Sequence, residues 1–457
     1  MTTNERQEQR PTTAGHQRFN CRNLSDLKAL CQTLALDLPL ETQMRELGQP
    51  LALGRHQLAN RLAIQPMEGC DGEPDGRPSD LTRRRYQRFA SGSAALIWVE
   101  ATAVVHEGRA NPRQLMLNET TLPEFSRLVQ MIRSESKQPV YLVLQLTHSG
   151  RYSRPDQDPA PQVAALNPLL DRPGLIPHVL TDDELADLVP AYVRSAELAE
   201  TAGFDAVDIK ACHGYLLNEL LGARTRTGAY GGSFEQRTKL LLDIVTAVRA
   251  AVAIDLAGRL NAYDEIPRPY GWGVRADDHH QPDRDELLQL VGQLTRRGVV
   301  LLNVTAGNPY YNPHVNRPFD AGPYRPPVHP LVHLNQLLLA AREVRRHVPE
   351  AVVMASGLSW TRHLGGHLAA GLIKAGWADL AGFGRQAFAY PQFSRDLLAG
   401  EVDPDRCCIA CGKCSEIMRD GGQAGCVIRD AQVYLPIYRS GRTGKPPLTS
   451  QVIREHV

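Results

Sequence analysis

From residue 60 onward the chain alternates between short apolar runs and longer stretches whose apolar residues recur at helical spacing. Eight runs rich in β-branched and aliphatic residues predict strands at 61–65, 94–101, 140–146, 206–209, 253–260, 299–304, 352–355 and 380–383. The stretches between them predict helices at 80–91, 122–134, 183–202, 234–251, 284–297, 332–348 and 363–375, with a short helix at 216–221. Eight such units predict an α/β fold, a TIM (β/α)8 barrel. A doubly wound open sheet is the alternative, disfavoured because no predicted strand precedes a Gly-rich dinucleotide-binding turn.

The segments on either side of the predicted barrel have a different character. Residues 1–20 are polar and are predicted to be disordered. Residues 23–47 carry leucines at helical spacing after Asn23, which suits an N-cap, and predict an N-terminal helical extension. We therefore divide the chain into a disordered start with a helical extension at 1–47, the barrel at 48–400, and a cysteine-rich segment with a tail at 401–457.

Composition and charge exclude several classes of partner. Of the 457 residues, 42% are apolar and 22% are charged, which is typical of a soluble globular protein. The net charge of +1 gives no electrostatic reason to expect binding to nucleic acid or to an anionic membrane. No apolar run approaches the roughly 20 residues of a membrane span, and the polar N-terminus lacks the apolar core of a signal peptide. A cytoplasmic location is therefore predicted.

Five of the nine cysteines lie between residues 407 and 426. Cys408, Cys411, Cys414 and Cys426 follow the spacing C-x2-C-x2-C-x11-C, which suits four thiolates around a [4Fe–4S] cluster. Four thiolates also suit a closed zinc site, and unpaired buried thiols are a third interpretation. The adjacent Cys407 could take the place of Cys408 as the first ligand.

Polar side chains collect where the third, fourth and fifth predicted strands end. Lys210, His213 and Tyr215 follow the fourth strand, Gln145 lies on the third, and Arg259 ends the fifth. The C-terminal ends of parallel strands are where such proteins carry their chemistry. A glutamine amide suits the edge of a pyrimidine-like ring, and an arginine can stabilise an anion at the barrel mouth. The structural alternatives are a polar residue inside the barrel for Gln145 and a salt bridge for Arg259.

Glycine turns follow the last two predicted strands. The seventh strand ends in Ser356 and Gly357, and the eighth ends in Gly384 and Arg385. Backbone N–H groups after these two strands form the usual phosphate site of TIM barrels, and an arginine adds a fixed positive charge. One such turn would mean little, but two at these strands predict a phosphate-binding site.

Seven motifs occur along the chain in barrel order: NRLAIQPM at 60–67, IWVEATAV at 97–104, LQLTHSGR at 144–151, KACHGYLLNELL at 210–221, YGGSFEQR at 230–237, GRLNAYD at 258–264 and AGFGRQAFA at 381–389. Together they resemble the old yellow enzyme family of flavin-dependent ene-reductases. The likeness is greatest to the branch that includes bacterial 2,4-dienoyl-CoA reductase and trimethylamine dehydrogenase, and it covers about residues 50 to 430. It implies a barrel at 48–400 that binds FMN at its C-terminal mouth.

The resemblance assigns roles residue by residue. It implies that FMN is bound by Pro66, Met67, Glu68, Ala101, Gln145, Arg259, Ser356, Gly357, Gly384 and Arg385, the last four at its phosphate. It implies that Lys210 and His213 hold the substrate oxygen and that Tyr215 donates a proton. It also implies a [4Fe–4S] cluster on Cys408, Cys411, Cys414 and Cys426.

Two residues and one cysteine spacing depart from the family pattern. Lys210 stands where the family usually has a histidine, and Glu68 stands where a threonine or cysteine usually tunes the flavin. The relatives place three residues between their second and third cysteine ligands, whereas Gly412 and Lys413 are the only two here. The gap of eleven residues before the last cysteine is kept.

The resemblance implies an NAD(P)H:flavin oxidoreductase, with ene reduction of an enoate or enoyl thioester as the expected activity. One alternative is a flavin and iron–sulfur dehydrogenase of an amine or alcohol that passes electrons to a partner protein. A non-redox phosphate-binding barrel with structural zinc is a further alternative. A small-molecule substrate and a homo-oligomer are expected. The loop at 307–320 is predicted to line the substrate pocket, with Tyr310, Tyr311 and His314 as candidates.

Overall fold

The computed structural model describes residues 15–444, and its centre is a closed barrel of eight parallel strands in sequential order. The strands are β1 (Leu62–Ile64), β2 (Leu96–Ala103), β3 (Tyr141–Thr147), β4 (Ala206–Ile209), β5 (Asp255–Asn261), β6 (Val299–Thr305), β7 (Val352–Ala355) and β8 (Leu380–Phe383). Strand β8 pairs with β1 and closes the barrel. The predicted TIM barrel is confirmed, and the open-sheet alternative is wrong. All eight predicted strands are present, with ends shifted by at most two residues.

In the described part of the chain, a helix that packs around the barrel follows each of the eight strands. These helices are α1 (Asp80–Ala90), α2 (Leu122–Glu135), α3 (Leu188–Ala202), α4 (Phe234–Ala251), α5 (Asp285–Arg296), α6 (Pro330–His347), α7 (Gly365–Lys374) and α8 (Phe393–Ala399). The single helix predicted at 183–202 is two helices, Asp182–Ala186 and α3. The break is explained by Pro190, which lacks the N–H that would continue the helical ladder and fits only a first turn. The short predicted helix after β4 is Leu216–Gly222.

The N-terminal segment packs on the barrel. Asn23 caps a helix at Leu24–Thr33 by accepting the N–H of Asp26, as predicted, and a hairpin of Leu51–Leu53 and His56–Leu58 leads into β1. Residues 1–14 of the predicted disordered start lie outside the described residues. Phe19, by contrast, is buried against Trp360 with ring centroids 5.1 Å apart. The predicted disorder is therefore wrong for residues 15–20. Burial of the Phe19 ring against the barrel holds this segment in place although most of its other residues are polar.

The C-terminal cysteine segment lies against the loop that follows β1. It contains helices at Lys413–Arg419 and Ala431–Arg442 around a small apolar core of their own. The N–H of Ala424 donates to the Gly69 carbonyl at 2.6 Å, and Asp430 accepts from Arg84 of α1 at 2.8 Å. The segment is thereby held at the C-terminal mouth of the barrel. Residues 445–457 of the predicted tail lie outside the described residues.

Between residues 15 and 444, no helix is both long enough and apolar enough to cross a membrane.

Candidate active site

One cavity opens at the C-terminal mouth of the barrel, with about 1230 Å³ of empty space including its solvent-open part. The cavity brings together all the candidate cofactor-binding and catalytic residues: Pro66, Met67, Glu68, Ala101, Gln145, Lys210, His213, Tyr215, Arg259, Ser356, Gly357, Gly384 and Arg385. They lie on or directly after every barrel strand except β6, so the closure of the barrel is what makes them neighbours.

Gln145 and Arg259 form a polar pair at one end of this cavity, backed by Asp208. Gln145 Nε2 donates to the Asp208 carboxylate at 2.6 Å, and the backbone N–H of Arg259 donates to it at 2.6 Å. The Gln145 carbonyl oxygen is thereby left as the atom that can accept from a ligand. The Arg259 Nε–H is buried and has no partner among residues 15–444. The cavity therefore offers an acceptor from β3 and an unpaired donor from β5, the two strands on either side of β4.

The glycine turns and Arg385 form the other end. Gly357 has φ +84°, a left-handed conformation that favours glycine. A Cβ on Gly384 would lie 2.7 Å from Met67 Sδ, so glycine keeps this turn close to the β1 loop. Arg385 donates one Nη to the Pro318 carbonyl at 2.6 Å, while its other Nη is buried with no partner in the described chain. This end supplies unpaired N–H donors and a positive charge, as an anion site requires.

The turn after β4 presents the three candidate catalytic residues. His213 has φ +66° and Gly214 has φ +72°, so two consecutive left-handed residues turn the chain sharply. The turn is held by Asn261 Oδ1, which accepts the His213 N–H at 3.2 Å, and by Asn218 Oδ1, which accepts the Gly214 N–H at 2.7 Å. This strained backbone brings Lys210, His213 and Tyr215 to the same cavity although, three and two positions apart, they would not all share one face of a strand.

Tyr215 lies at the centre of a polar and aromatic cluster. The Lys210 Nζ lies 3.7 Å from the centre of its ring. Its hydroxyl is 3.2 Å from the Tyr310 hydroxyl and makes a long hydrogen bond of 3.5 Å to Glu68 Oε2. The Tyr310 ring stacks on Tyr152 with centroids 3.7 Å apart. Tyr215 therefore has a cation on its face and two oxygen partners at its edge.

Burial sets the protonation of this cluster. It lowers the pKa of His213 well below the ordinary value, helped by the nearby charges of Arg259 and Lys210, so the imidazole is neutral at pH 7. Burial and the Glu68 carboxyl hold the pKa of Tyr215 well above its usual value, so its hydroxyl keeps its proton. Burial also lowers the pKa of Lys210 and raises that of Glu68. The site thus contains two neutral proton-bearing groups beside a lysine and a carboxyl.

The loop after β6 contributes more to the cavity than the sequence indicates. Of its three pocket candidates, Tyr310 lines the cavity, whereas Tyr311 and His314 do not. Arg317, from the same loop, also lines it, and burial together with Arg385 lowers the pKa of Arg317 to about 10. No periodic signal in the loop marks this arginine. Further lining residues that the sequence did not single out are Gln65, Thr305, Pro309, Asn316, Ser359, Phe388, Ser415, Met418 and Arg419.

A buried ion-pair network holds the loop that carries Glu68. Arg85 of α1 contacts Glu100 of β2 at 2.5 Å and Asp71 at 2.8 Å, and all three are almost fully buried. The second oxygen of Glu100 accepts the Gly69 N–H at 2.6 Å. Glu68 is therefore attached to a rigid loop.

The four cysteines of the spaced motif line a second, smaller cavity. Cys408, Cys411, Cys414 and Cys426 surround it, and Cys414 also lines the main cavity together with Arg385 and Phe388. Cys407 does not line it, and its thiol points instead to the Asp403 carbonyl. Within the described part of the chain, no three His, Cys, Asp or Glu side chains lie close enough together to hold a single metal ion.

The donors and acceptors around the main cavity fit FMN. The Gln145 oxygen and the Arg259 donor suit a ring edge that carries both an N–H and a carbonyl oxygen, as the flavin pyrimidine ring does. The unpaired Arg385 Nη and the glycine turns match a phosphate at the opposite end. Pro66, Met67 and Ala101 supply apolar surface between the two ends.

Comparison with known proteins points to the same family. Residues 46–268 match the model of the NADH:flavin oxidoreductase / NADH oxidase family. A metal reductase from Desulforamulus reducens is 28% identical over 374 residues, which are 81% of this chain and 51% of that relative. An NADPH dehydrogenase from Halalkalibacterium halodurans is 32% identical over 256 residues, which are 55% of this chain and 70% of that relative. The chain thus spans about half the length of the first relative.

Solved structures share the fold. The structure of 2-naphthoyl-CoA reductase with 2-naphthoyl-CoA is similar with a TM-score of 0.71 at 19% identity, over 88% of this chain and 58% of that one. The resemblance to the old yellow enzymes is confirmed: this chain belongs to the NADH:flavin oxidoreductase / NADH oxidase family of FMN-dependent enzymes.

Proposed function

We propose that this protein is an FMN-dependent ene-reductase that reduces an activated C=C bond of an enoate or an enoyl thioester with electrons from NAD(P)H. The observation that carries the proposal is the convergence of Lys210, His213 and Tyr215 on the same cavity as the FMN-binding set. A proton donor and two oxygen-binding groups beside a hydride carrier are what this reaction requires.

The residues divide the work between cofactor and substrate. Gln145 and Arg259 bind the pyrimidine edge, and Ser356, Gly357, Gly384 and Arg385 bind the phosphate. Bound FMN supplies hydride transfer. Since the Gln145 amide and the Arg259 backbone are both anchored on Asp208, the edge-binding groups are held in place before the ligand arrives.

On the substrate side, His213 and Lys210 hydrogen-bond the carbonyl oxygen. The neutral His213 has a buried Nε2 with no partner in residues 15–444, and this atom is available to the substrate. The Lys210 ammonium stabilises the negative charge that develops on the oxygen. Tyr215 then donates its hydroxyl proton to the α-carbon, for which its raised pKa is suitable because it acts as an acid.

An anaerobic preparation tests the proposal. The protein is denatured and the released cofactor is identified, and the native enzyme is then assayed for NADH and NADPH oxidation with enoates, enoyl thioesters and amines. Bound FMN and turnover of an activated alkene are expected. Protein that releases no flavin and does not bind added FMN would contradict the proposal.

A second candidate is a dehydrogenase of an amine or alcohol that passes electrons through a [4Fe–4S] cluster to a partner protein. It is favoured by Cys414, which lines both the main cavity and the small cysteine cavity, so a cluster there would adjoin the FMN site. It is also favoured by Glu68, a carboxyl able to accept an amine-like group. The test adds an equimolar amount of amine, without NAD(P)H, to protein that contains iron and sulfide. Loss of the absorbance of oxidised flavin would support this function over ene reduction.

The same metal analysis separates the cluster from zinc. Zinc bonds to thiolates at about 2.3 Å and needs its four sulfur atoms close together, whereas a four-iron cubane spreads them wider. The four thiols line the small cavity. Iron and sulfide in the purified protein would identify a cluster there, and zinc without sulfide would identify a structural zinc site. Family membership gives no support to the non-redox barrel.

A further inference from the structure

Asp208 is a buried carboxylate that has no direct part in the proposed reaction. It lies on β4 with no solvent exposure, and it accepts hydrogen bonds from Trp98 Nε1 at 3.0 Å, the Arg259 backbone N–H at 2.6 Å and Gln145 Nε2 at 2.6 Å. An ionised carboxylate can only accept, so the Gln145 atom that faces it has to be the amide nitrogen. The amide oxygen is therefore directed away from Asp208.

We propose that Asp208 is a positioning residue that keeps the Gln145 carbonyl oxygen toward the cavity and so selects a ring that presents an N–H there. The inference rests on the proposed binding of FMN, whose isoalloxazine carries one imide N–H between two carbonyl oxygens. Asp208 itself does not line the cavity and acts only through Gln145 and the Arg259 backbone.

Protonation of Asp208 is expected to turn the Gln145 amide, so that its NH2 group instead of its oxygen faces the cavity. The Trp98 ring is fully buried and the Arg259 N–H is part of a strand, so both donors are fixed. Of the three partners only Gln145 can exchange donor for acceptor, by rotating its amide. Its NH2 group would then face the ring N–H, and two buried donors would oppose each other.

The surroundings of Asp208 place this reversal near neutral pH. Burial raises its pKa to about 6 despite the three hydrogen bonds and the charge of Arg259. The other titratable groups that act on it or are acted on by it are Lys210, Cys212 and Tyr192. Because FMN prefers the ionised carboxyl, affinity is expected to be highest above pH 6 and to fall as the pH drops below it.

The test uses a matched pair of variants, Trp98→Phe alone and Trp98→Phe with Asp208→Asn. Without the indole N–H, the amide oxygen of the introduced asparagine can still accept the Arg259 N–H while its NH2 group faces Gln145 and forces it to rotate. The Kd of FMN for flavin-depleted protein is measured by fluorescence from about pH 5 to about pH 8, on either side of that pKa. The FMN phosphate also titrates near pH 6, but equally in both proteins. The ratio of the two Kd values is therefore the readout.

We expect the double variant to bind FMN about tenfold more weakly, or worse, at pH 8, and the ratio to fall toward one at pH 5. A ratio near one at every pH, or a ratio that does not change with pH, overturns the inference. If circular dichroism shows that the double variant does not fold, the Gln145→Leu variant replaces it. Without the amide, the Kd of FMN should depend on pH only through the FMN phosphate. Any further pH dependence in this variant also overturns the inference. Wild-type protein that binds no FMN at any pH would overturn the proposed function as well.

Discussion

The ammonium of Lys210 lies 3.7 Å from the centre of the Tyr215 ring, so the residue that departs from the family pattern contacts the residue that we propose as the proton donor. Both face a cavity that also contains His213. Charge-assisted hydrogen bonds contribute about 1.5–3 kcal/mol, compared with about 1 kcal/mol for neutral ones. We therefore expect Lys210→Met to weaken the binding of a carboxylate ligand at least about tenfold.

Flavin absorbance changes on titration with benzoate measure this binding. The control is Lys210→His, which restores the usual family residue and offers a neutral donor. It should retain binding of a neutral carbonyl ligand while losing part of the carboxylate affinity. Equal benzoate affinity in wild type and Lys210→Met would argue against Lys210 as the oxygen partner.

Removing the Tyr215 hydroxyl is expected to separate the two halves of the reaction. Tyr215→Phe should slow reduction of the alkene by a factor of roughly a hundred to ten thousand, because a positioned general acid contributes about that much. Reduction of the bound cofactor by NAD(P)H requires no proton from this residue and should be unchanged. Stopped-flow absorbance under anaerobic conditions measures each half separately. Equal slowing of both halves would mean that Tyr215 has a structural role instead.

The sequence predicted the strand-borne part of the site because strand ends follow from periodicity. Gln145, Arg259 and the glycine turns lie on or directly after an apolar run, and barrel closure then determines that they meet. Asp208 also lies on such a run, between Val207 and Ile209, and is not among the residues predicted from the sequence. Its polarity inside an otherwise apolar strand was a usable signal, since a buried carboxylate needs partners.

The loop-borne part of the site could not be predicted in the same way. Tyr310 and Arg317 lie in a long loop after β6, where neither strand nor helix periodicity applies. Their approach to Tyr215 and Arg385 depends on contacts between distant parts of the chain. The left-handed conformation of His213 is also invisible in sequence, because a histidine rarely adopts it.

Tyr310 is expected to support Tyr215 through the 3.2 Å contact between their hydroxyls. Tyr310→Phe leaves the stacking surface but removes this partner, so alkene reduction should slow severalfold and its pH dependence should shift. Tyr311→Phe is the matched control, since the neighbouring ring does not line the cavity. Steady-state rates over a range of pH make the comparison. Identical profiles for the two variants would indicate that the Tyr310 hydroxyl is dispensable.

Buried histidines are expected to make the fold sensitive to acid. Burial lowers the pKa of His333 on α6 to about 3, with a contribution from His314. Below its ordinary value of about 6.5 the unfolded chain binds a proton that the folded chain does not. The free energy of unfolding therefore falls as the pH drops from about 6.5 toward 3, by at most about 1.4 kcal/mol per pH unit for one such group.

His333→Leu should remove this contribution, so the difference in unfolding free energy between variant and wild type should grow in favour of the variant as the pH falls from about 6.5 to about 4. Urea unfolding at several pH values measures it. His347→Leu, on the exposed end of the same helix, serves as the control for a histidine-to-leucine change outside the buried interior. A His333→Leu difference that is constant over this range would show that the buried imidazole is not the cause.

Substitution of Cys407 and of Cys408 should show which of the two is the first cluster ligand. Cys408 lines the cysteine cavity, whereas the thiol of the neighbouring Cys407 faces the Asp403 carbonyl. Cys408→Ser should therefore lower the iron and sulfide content of anaerobically purified protein severalfold, because a hydroxyl is a poorer ligand for the cluster than a thiolate. Cys407→Ser should leave both contents at the wild-type level. Loss of iron in both variants would mean that the segment rearranges around its cluster, and zinc without sulfide in wild type would identify a zinc site instead.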